Sequence, residues 1–395
     1  MTSTALPATP RAHPRAPAPR AARRIRVAFC IDHMGPGGTE FNAVRTAERL
    51  DRERFDVTVV TFRPDGMLAP RYAAAGIAVV SFPLTSFFGL GALRQAARLA
   101  RFLAAGGFDV AHCHDRYTNV FVTLAARAAR TPAIIASKRW WRLPRGHEVA
   151  NAVAYRLAHR VLANSHAVAA SAGRVERVRL ERVAVIPNFV DEEAFVPMAP
   201  EERRRMLADM GVPDGALVAG IVARLRPVKD HESLIRAAAL LRPRWPALHL
   251  VLVGEGPSQP ELEALARALG VHDVVHFAGH REQQPNPNDL FDVAVLCSLQ
   301  EGFPNAVVEA MAAARPVVAT SVGGASDAVE HGETGLLVPP RQPAQLAAAL
   351  ETLLDDPALR ARMGAAGQRR ARERYHASSV IPRLEALYEE LLGRR

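Results

Sequence analysis

The run Glu301-Gly302-Phe303-Pro304-Asn305-Ala306-Val307-Val308-Glu309-Ala310 carries the residue types in this 395-residue chain that bear most directly on chemistry. It lies between a strand-like run and a helical pattern, so Gly302, Phe303, Pro304 and Asn305 form a loop and a first helical turn. Free backbone N–H groups at such a turn suit an anion or a hydroxyl. Glu301 precedes the helix, and Glu309 lies about one turn inside it. Carboxylates so placed could accept hydrogen bonds from vicinal hydroxyls, as on a sugar. A capping acid with a solvated helix glutamate accounts for the same letters. Arg224 and Lys229 also follow a strand and precede a helix. Two cations there suit a diphosphate, because a helix N-terminus offers a cation no dipole stabilisation; an ordinary charged loop is the alternative. Of 50 basic residues only Lys138 and Lys229 are lysine, which points to a compact point charge at 229.

Three weaker signals accompany these. Gly35-Pro36-Gly37-Gly38-Thr39 follows the first strand and permits close backbone approach to a ligand, with amides at the next helix start. It matches neither a dinucleotide fingerprint nor a phosphate-binding loop of the Gly-Lys-Ser/Thr type, and a plain tight turn fits it. In Asp109-Val110-Ala111-His112-Cys113-His114-Asp115 the two histidines share one strand face. His114, at the strand end, reads as a cleft histidine and His112 as a satisfied core residue. A zinc site lacks further ligands, and no Asp-x-Asp pair offers a metal–diphosphate clamp. Lys138-Arg139-Trp140-Trp141-Arg142 interleaves cations with tryptophan, which suits a membrane interface, an anionic acceptor or nucleic acid. A structural loop with partly buried tryptophans is the alternative.

These groups need a scaffold that gathers loops. Strand-like runs at 25–31, 57–61, 78–80, 110–113, 133–136, 161–163 and 183–186 alternate with helical patterns. The alternation restarts at 217–222 and continues at 248–253, 274–277, 293–296 and 316–320, followed by helical stretches at 342–354, 357–374 and 378–393. This predicts an α/β protein of two doubly wound domains with a ligand in the cleft between them. The divisions fall as a flexible basic tail at 1–24, a first domain at 25–187, an acidic linker at 188–200, a second domain at 201–376, and a last helix at 377–395. A 49% hydrophobic, 23% charged composition excludes a disordered, collagenous or disulfide-scaffold chain. No run of about 18 apolar residues predicts a membrane span. Cys30, Cys113 and Cys297 are an odd, dispersed set and read as buried reduced thiols of a cytosolic protein. Residues 1–186 hold 28 basic and 12 acidic side chains, residues 187–395 hold 22 and 28. The first half therefore faces something anionic, unless the arginine excess is coding bias. No nucleic-acid module is visible.

In their order and spacing the motifs resemble a family-four retaining glycosyltransferase of the GT-B fold, from Arg26 to about Gly367. They are Gly37-Gly38-Thr39-Glu40, Asp109 to His114, Ala163-Asn164-Ser165, Val185 to Asn188, Arg224 with Lys229, Val253 to Pro257, Phe277-Ala278-Gly279, the Glu301–Glu309 pair, Pro316 to Thr320, Gly323-Gly324 and Gly335 to Val338. The resemblance implies a metal-independent enzyme without cofactor, moving a sugar from a nucleotide-diphosphate donor to a glycan or lipid-linked acceptor in polysaccharide or glycolipid assembly. It implies donor binding by the second domain and acceptor binding by the first. Arg224 and Lys229 would hold the diphosphate, and Glu301 with Gly302–Asn305 the donor sugar. Glu309 would bind the ribose, Gly37, Gly38 and Gly254 would lie near the donor, Gly279-His280-Arg281 would flank the base, and His114 would contact the donor sugar or the reacting oxygens. The last helix would cross back onto the first domain. With Lys138, Arg139, Trp140, Trp141 and Arg142 toward an acceptor or an anionic membrane, the expected location is cytoplasmic and peripheral. A non-catalytic nucleotide-sugar-binding or scaffold protein is the alternative. Ala314 replaces a usual glycine, Ser326-Asp327 a frequent Pro-Glu, and the loop Gln283 to Asn288 is atypical.

Overall fold

β1 (Ile25–His33) is almost unbroken apolar sequence because both of its faces are covered. Val27, Phe29 and Ile31 turn to one side and pack with the helices Gly38–Arg49 and Ala377–Leu391. Ala28 and Cys30 turn to the other and pack with the helices Leu90–Ala105 and Arg116–Ala128. The computed structural model describes residues 23–393 except 85, 88, 142–144 and 281–285. Nearly all of the basic tail, Arg142 and Arg281 lie outside the described residues.

Around β1 stand β2 (Phe55–Arg63), β3 (Ala78–Ser81), β4 (Val110–Cys113), β5 (Ala133–Lys138), β6 (Arg160–Ala163) and β7 (Val183–Val185). They form a parallel sheet in the order β3-β2-β1-β4-β5-β6-β7. A second parallel sheet, β10-β9-β8-β11-β12-β13, is built from β8 (Leu217–Val222), β9 (Leu248–Val253), β10 (Val275–Gly279), β11 (Val293–Leu296), β12 (Val317–Thr320) and β13 (Gly335–Val338). Strand order reverses between β1 and β4 and again between β8 and β11. At such reversals the following loops diverge and leave a crevice.

The chain crosses between the halves twice, and the crossings pair at a parallel bridge from Val190 to His376. Val190 N–H donates to the Tyr375 carbonyl at 2.8 Å, and Ala377 N–H to the Val190 carbonyl at 3.0 Å. The segment read as a linker is not loose: Val190, Ala194 and Phe195 are buried in the second half's core. Beyond the second crossing, the helix Ala377–Leu391 lends Val380, Ile381, Leu384, Leu387 and Tyr388 to the core under the first sheet.

Ala314 adopts a φ of 55°, which explains why glycine suits the position. An L-residue there costs about 1–2 kcal/mol. Ala314→Gly is expected to stabilise the protein by about 0.5–1 kcal/mol net of the greater freedom of the unfolded chain, raising Tm by about 1–3 °C. An unchanged or lower Tm in a thermal melt would contradict this.

Candidate functional site

The loops at the carboxyl ends of the strands wall two adjoining cavities. The first, of 320 Å³, lies between the loops after β1, β5 and β6 and those after β8 and β11. It gathers Gly38, Arg139, Trp140, Trp141, Lys229, Glu301, Gly302, Phe303 and Asn305. The second, of 700 Å³, gathers Gly37, Gly38, Arg224, Gly254, His280, Asn305 and Glu309. Gly38 and Asn305 border both, so the two cavities adjoin across the crevice. Gly279 and Pro304 stand close in sequence to lining residues without lining either cavity themselves.

Glu301 is fixed from two sides. Lys229 Nζ reaches Glu301 Oε1 at 2.5 Å, and Ser298 Oγ donates to the same oxygen at 2.6 Å. Ser298 is itself held by Thr320 Oγ1, which donates to its carbonyl at 2.6 Å. Behind Lys229, the Cys297 thiol donates to the lysine's carbonyl at 3.1 Å. Burial pushes that thiol well up, so it stays a neutral donor. In the larger cavity, desolvation pushes the Glu309 carboxyl up while Arg45 draws it down. Asn286, 2% exposed, pins the helix carrying Glu309 by donating to the Glu309 carbonyl at 2.7 Å. The loop after β9 approaches that after β8 so closely that a Cβ on Gly254 would sit 2.1 Å from the Ala223 carbonyl oxygen. Its φ of 138° is in any case one that side chains rarely adopt.

The halves also touch directly. Ser165 Oγ donates to the Gly302 carbonyl at 2.8 Å, Asn188 Nδ2 to Asn305 Oδ1 at 2.8 Å, and His166 N–H to Asp327 Oδ2 at 2.6 Å. The last bond gives the Asp327 departure a role, since its carboxylate meets the start of the helix His166–Val175 from across the crevice. A Cβ on Gly302 would lie 2.2 Å from the Arg139 carbonyl oxygen, so only glycine permits this approach.

Several expected placements need correction. Lys138 does not reach a surface: Nζ pairs with Glu176 Oε1 at 2.6 Å, and the two side chains are 1% and 0% exposed. It sits on the last residue of a strand covered on both faces. Arg139, 8% exposed, points inward, donating to Asn42 Oδ1 at 2.9 Å, Asn188 Oδ1 at 2.8 Å and His114 Nδ1 at 3.3 Å. Burial pushes its guanidinium down to about 10, which leaves it charged at neutral pH. Trp140 and Trp141 are half-buried and line the smaller cavity. His114 is not open to the crevice. It is fully buried, its ring lies 3.8 Å from that of Phe29, and Arg139 covers it. Burial, then His112 and Arg139, pushes it well down, so the ring is neutral. Because Nδ1 accepts from Arg139, the proton resides on Nε2. His112 is a satisfied core histidine, bonded to Tyr388 Oη at 2.7 Å and Ser137 Oγ at 3.1 Å. Among the described residues no group of three or more His, Cys, Asp or Glu is placed to hold a metal.

Sequence reasoning assigned no role to Asn42, Asn164, Asn188 or Ser298. Asn164 and Asn188 stand at or just beyond the ends of short apolar runs, where a polar residue must face the crevice, and that position was the available signal.

Comparison with known proteins follows this layout. Residues 36–194 match the model described as Glycosyltransferase Family 4, and residues 202–370 that described as Glycosyl transferases group 1. The chain is 30% identical over 405 residues to a D-inositol 3-phosphate glycosyltransferase of Streptomyces avermitilis, covering 90% of this chain and 87% of that one. A protein of the same description from Kineococcus radiotolerans is 32% identical over 406 residues, covering 88% and 91%. Among solved structures, HepE of Anabaena in complex with UDP superposes with a TM-score of 0.83 at 25% identity, over 93% of this chain and all of that one. Its complex with UDP-glucose gives 0.81. The two facing parallel sheets are thus the GT-B arrangement.

Proposed function

The chain belongs to the glycosyl transferases group 1 family, and on that footing we propose that it is a retaining, metal-independent glycosyltransferase. It moves a sugar from a nucleotide-diphosphate donor to a glycan or lipid-linked acceptor in polysaccharide or glycolipid assembly. The observation that carries the reading is the adjacency of the two cavities, with Arg224 and Glu309 along one and the Lys229–Glu301 pair in the other. The nucleoside lies in the larger cavity, its ribose hydroxyls on Glu309. The diphosphate spans the junction between Arg224 and Lys229, with the amides of the Gly37–Gly38 turn opposite. The sugar enters the smaller cavity, held by Glu301 and the backbone of Gly302–Asn305.

As the bond from the anomeric carbon to the phosphate oxygen breaks, negative charge grows on the departing diphosphate. Fixed cations stabilise that charge more than they stabilise the ground state. The acceptor hydroxyl forms the new bond to the same carbon, and its proton passes to the leaving phosphate oxygen. UDP-sugars are the first donors to try, because HepE binds UDP-glucose. In a thermal-shift screen of UDP-, GDP- and ADP-sugars, one donor at about 100 times its Kd should stabilise the fold by about 2.7 kcal/mol. NMR of the product then reads the anomeric configuration. Inversion would remove the retaining assignment, and donor binding without transfer to any acceptor would favour a non-catalytic sugar-nucleotide-binding protein. The approach of Gly302 to Arg139 gives a second test: Gly302→Val should lower transfer about 10²-fold by displacing the sugar-holding loop. Near-normal turnover in that variant would separate the loop from the reaction.

We also infer a peripheral position on an anionic, cytoplasmic membrane face. Residues 66–108 and 116–147 contain no acidic residue. On the helices Leu90–Ala105, Arg116–Ala128 and Arg145–Leu157, Leu90, Leu93, Leu124, Val149 and Val153 are exposed beside Arg94, Arg98, Arg101 and Arg127. Exposed apolar side chains among these cations, with Glu148 the one acidic residue on the three helices, suit an anionic bilayer. No described helix is long and apolar enough to cross one. Co-sedimentation with phosphatidylglycerol vesicles should fall with salt; equal binding to neutral vesicles, or none to either, would end the membrane assignment.

A further inference from the structure

The smaller cavity is lined by a buried cation that no carboxylate among the described residues hydrogen-bonds. Of its two basic residues, Lys229 is paired with Glu301. Among the described residues the hydrogen-bond partners of the Arg139 guanidinium are all neutral: two asparagine carbonyls and the Nδ1 of a neutral histidine. Glu40 and Asp115 act on it without a hydrogen bond among the described residues. Its Nε is buried with no partner there. Removing an arginine from water without a directly bonded carboxylate is unfavourable, and buried cations are ordinarily paired and hydrogen-bonded.

A second buried polar group at the same cavity is also unsatisfied. Asn164, 3% exposed, lines the space, and its Oδ1 has no partner among the described residues. One wall thus offers a guanidinium without a hydrogen-bonded carboxylate and an amide oxygen without a partner among the described residues, and the half-buried Trp140 and Trp141 line the same space. Tryptophan faces suit the apolar C–H face of a sugar ring. An arginine N–H edge suits an oxyanion, and an amide oxygen suits a hydroxyl.

Resting on the glycosyl-transfer reading, we propose that the acceptor is an anionic sugar whose phosphate or carboxylate oxygens neutralise Arg139 while a ring hydroxyl donates to Asn164. All four residues belong to the first half of the chain, across the crevice from Arg224, Lys229 and Glu309. The donor's diphosphate has its own cations on the far wall, so Arg139 remains for the acceptor. Arg139 then sets specificity by charge: a neutral sugar of the same shape leaves the guanidinium buried and unpaired, and is rejected for that reason.

The test uses the full chain saturated with UDP and titrated calorimetrically with four probes: glucose, glucose 6-phosphate, glucose 1-phosphate and glucuronate. At least one anionic probe should bind about tenfold to a hundredfold more tightly than glucose, the range expected of a hydrogen bond to a charged group. The phosphate positions and the carboxylate separate a phosphorylated ring, a carrier-linked sugar phosphate and a uronic acid. In Arg139→Gln the preference should disappear while UDP binds as before, and Arg139→Lys should restore part of it. The wild-type comparison needs no variant to fold. Equal affinity for glucose and all three anions would overturn the proposal, as would a loss of UDP affinity in Arg139→Gln matching the loss for the anion. Failure of UDP itself to bind the wild-type chain would instead overturn the glycosyl-transfer reading.

Discussion

Lys229→Ala is expected to lower the rate of sugar transfer about 10²–10³-fold, the loss typical when one preorganised donor to a developing oxyanion is removed. The Lys229–Glu301 contact sharpens the expectation. Glu301 Oε1 shares its hydrogen bonds between Lys229 and Ser298. Without the lysine, its carboxylate keeps a neutral donor alone and turns an uncompensated negative charge toward the diphosphate. The single variant should therefore weaken donor binding as well as slow the reaction. Adding Glu301→Gln should recover part of the binding and none of the rate, because the amide removes the repulsion but supplies no cation. A double-mutant cycle on nucleotide affinity and on kcat reads the two separately. Strictly additive losses in binding would mean that the pair acts as two independent contacts. Wild-type turnover in Lys229→Ala, with circular dichroism unchanged, would take the residue out of the site.

The second large effect is structural. A chain ending at His376 is expected to lose cooperative folding of its first half. The missing helix buries Val380, Ile381, Leu384, Leu387 and Tyr388 against Val27, Phe29 and Ile31 of β1 and the helix Gly38–Arg49. At about 1.5–3 kcal/mol for each buried side chain, the loss is on the order of 10 kcal/mol, comparable with the whole stability of a typical domain. Polar ties go with it, among them Glu385, 5% exposed, which accepts from Arg54 at 2.8 Å and from Asp51 N–H at 2.9 Å, and Tyr388 Oη, which bonds His112. Tyr388→Phe isolates the last of these and should cost about 1–2 kcal/mol. Thermal melts and limited proteolysis of the truncated chain would show it. A single native-like transition would mean that the first sheet stabilises itself.

Much of this architecture was legible in the residues, for one physical reason. Parallel strands buried on both faces must be apolar runs, and the helices between them must be amphipathic, so twelve of the thirteen strands announced themselves. The exception, Gly335–Val338, is four residues long, opens on glycine and lies at a sheet edge. That Arg224, Lys229 and Glu301 stand on strand-to-helix loops, with Glu309 one turn inside the following helix, was legible, and the four line the two adjoining cavities. Which surface the Lys138–Trp141 segment faces was not. Its composition reads as interfacial, yet Lys138 ends a covered strand opposite Glu176 and Arg139 turns inward onto Asn42, Asn188 and His114. Partners 38, 97 and 49 residues away set that burial, and no local pattern encodes them. His114 failed for a related reason: a strand-end position predicts proximity to the crevice but not the cover that Arg139 lays over it.

The paired crossings at Val190 and His376 also order events during synthesis. The seven strands of the first sheet leave the ribosome long before the helix that closes one face of their core. About 190 residues intervene, which at about 5–20 residues per second takes roughly 10–40 s. Through that interval Val27, Phe29 and Ile31 lack part of their native cover, while the second half can complete its own core as it emerges. The half made first is thus finished last. A nascent-chain chaperone has most to shield on the sheet face that the helix Ala377–Leu391 will occupy, and emergence of that helix sets the earliest moment at which the crevice can assume its working shape.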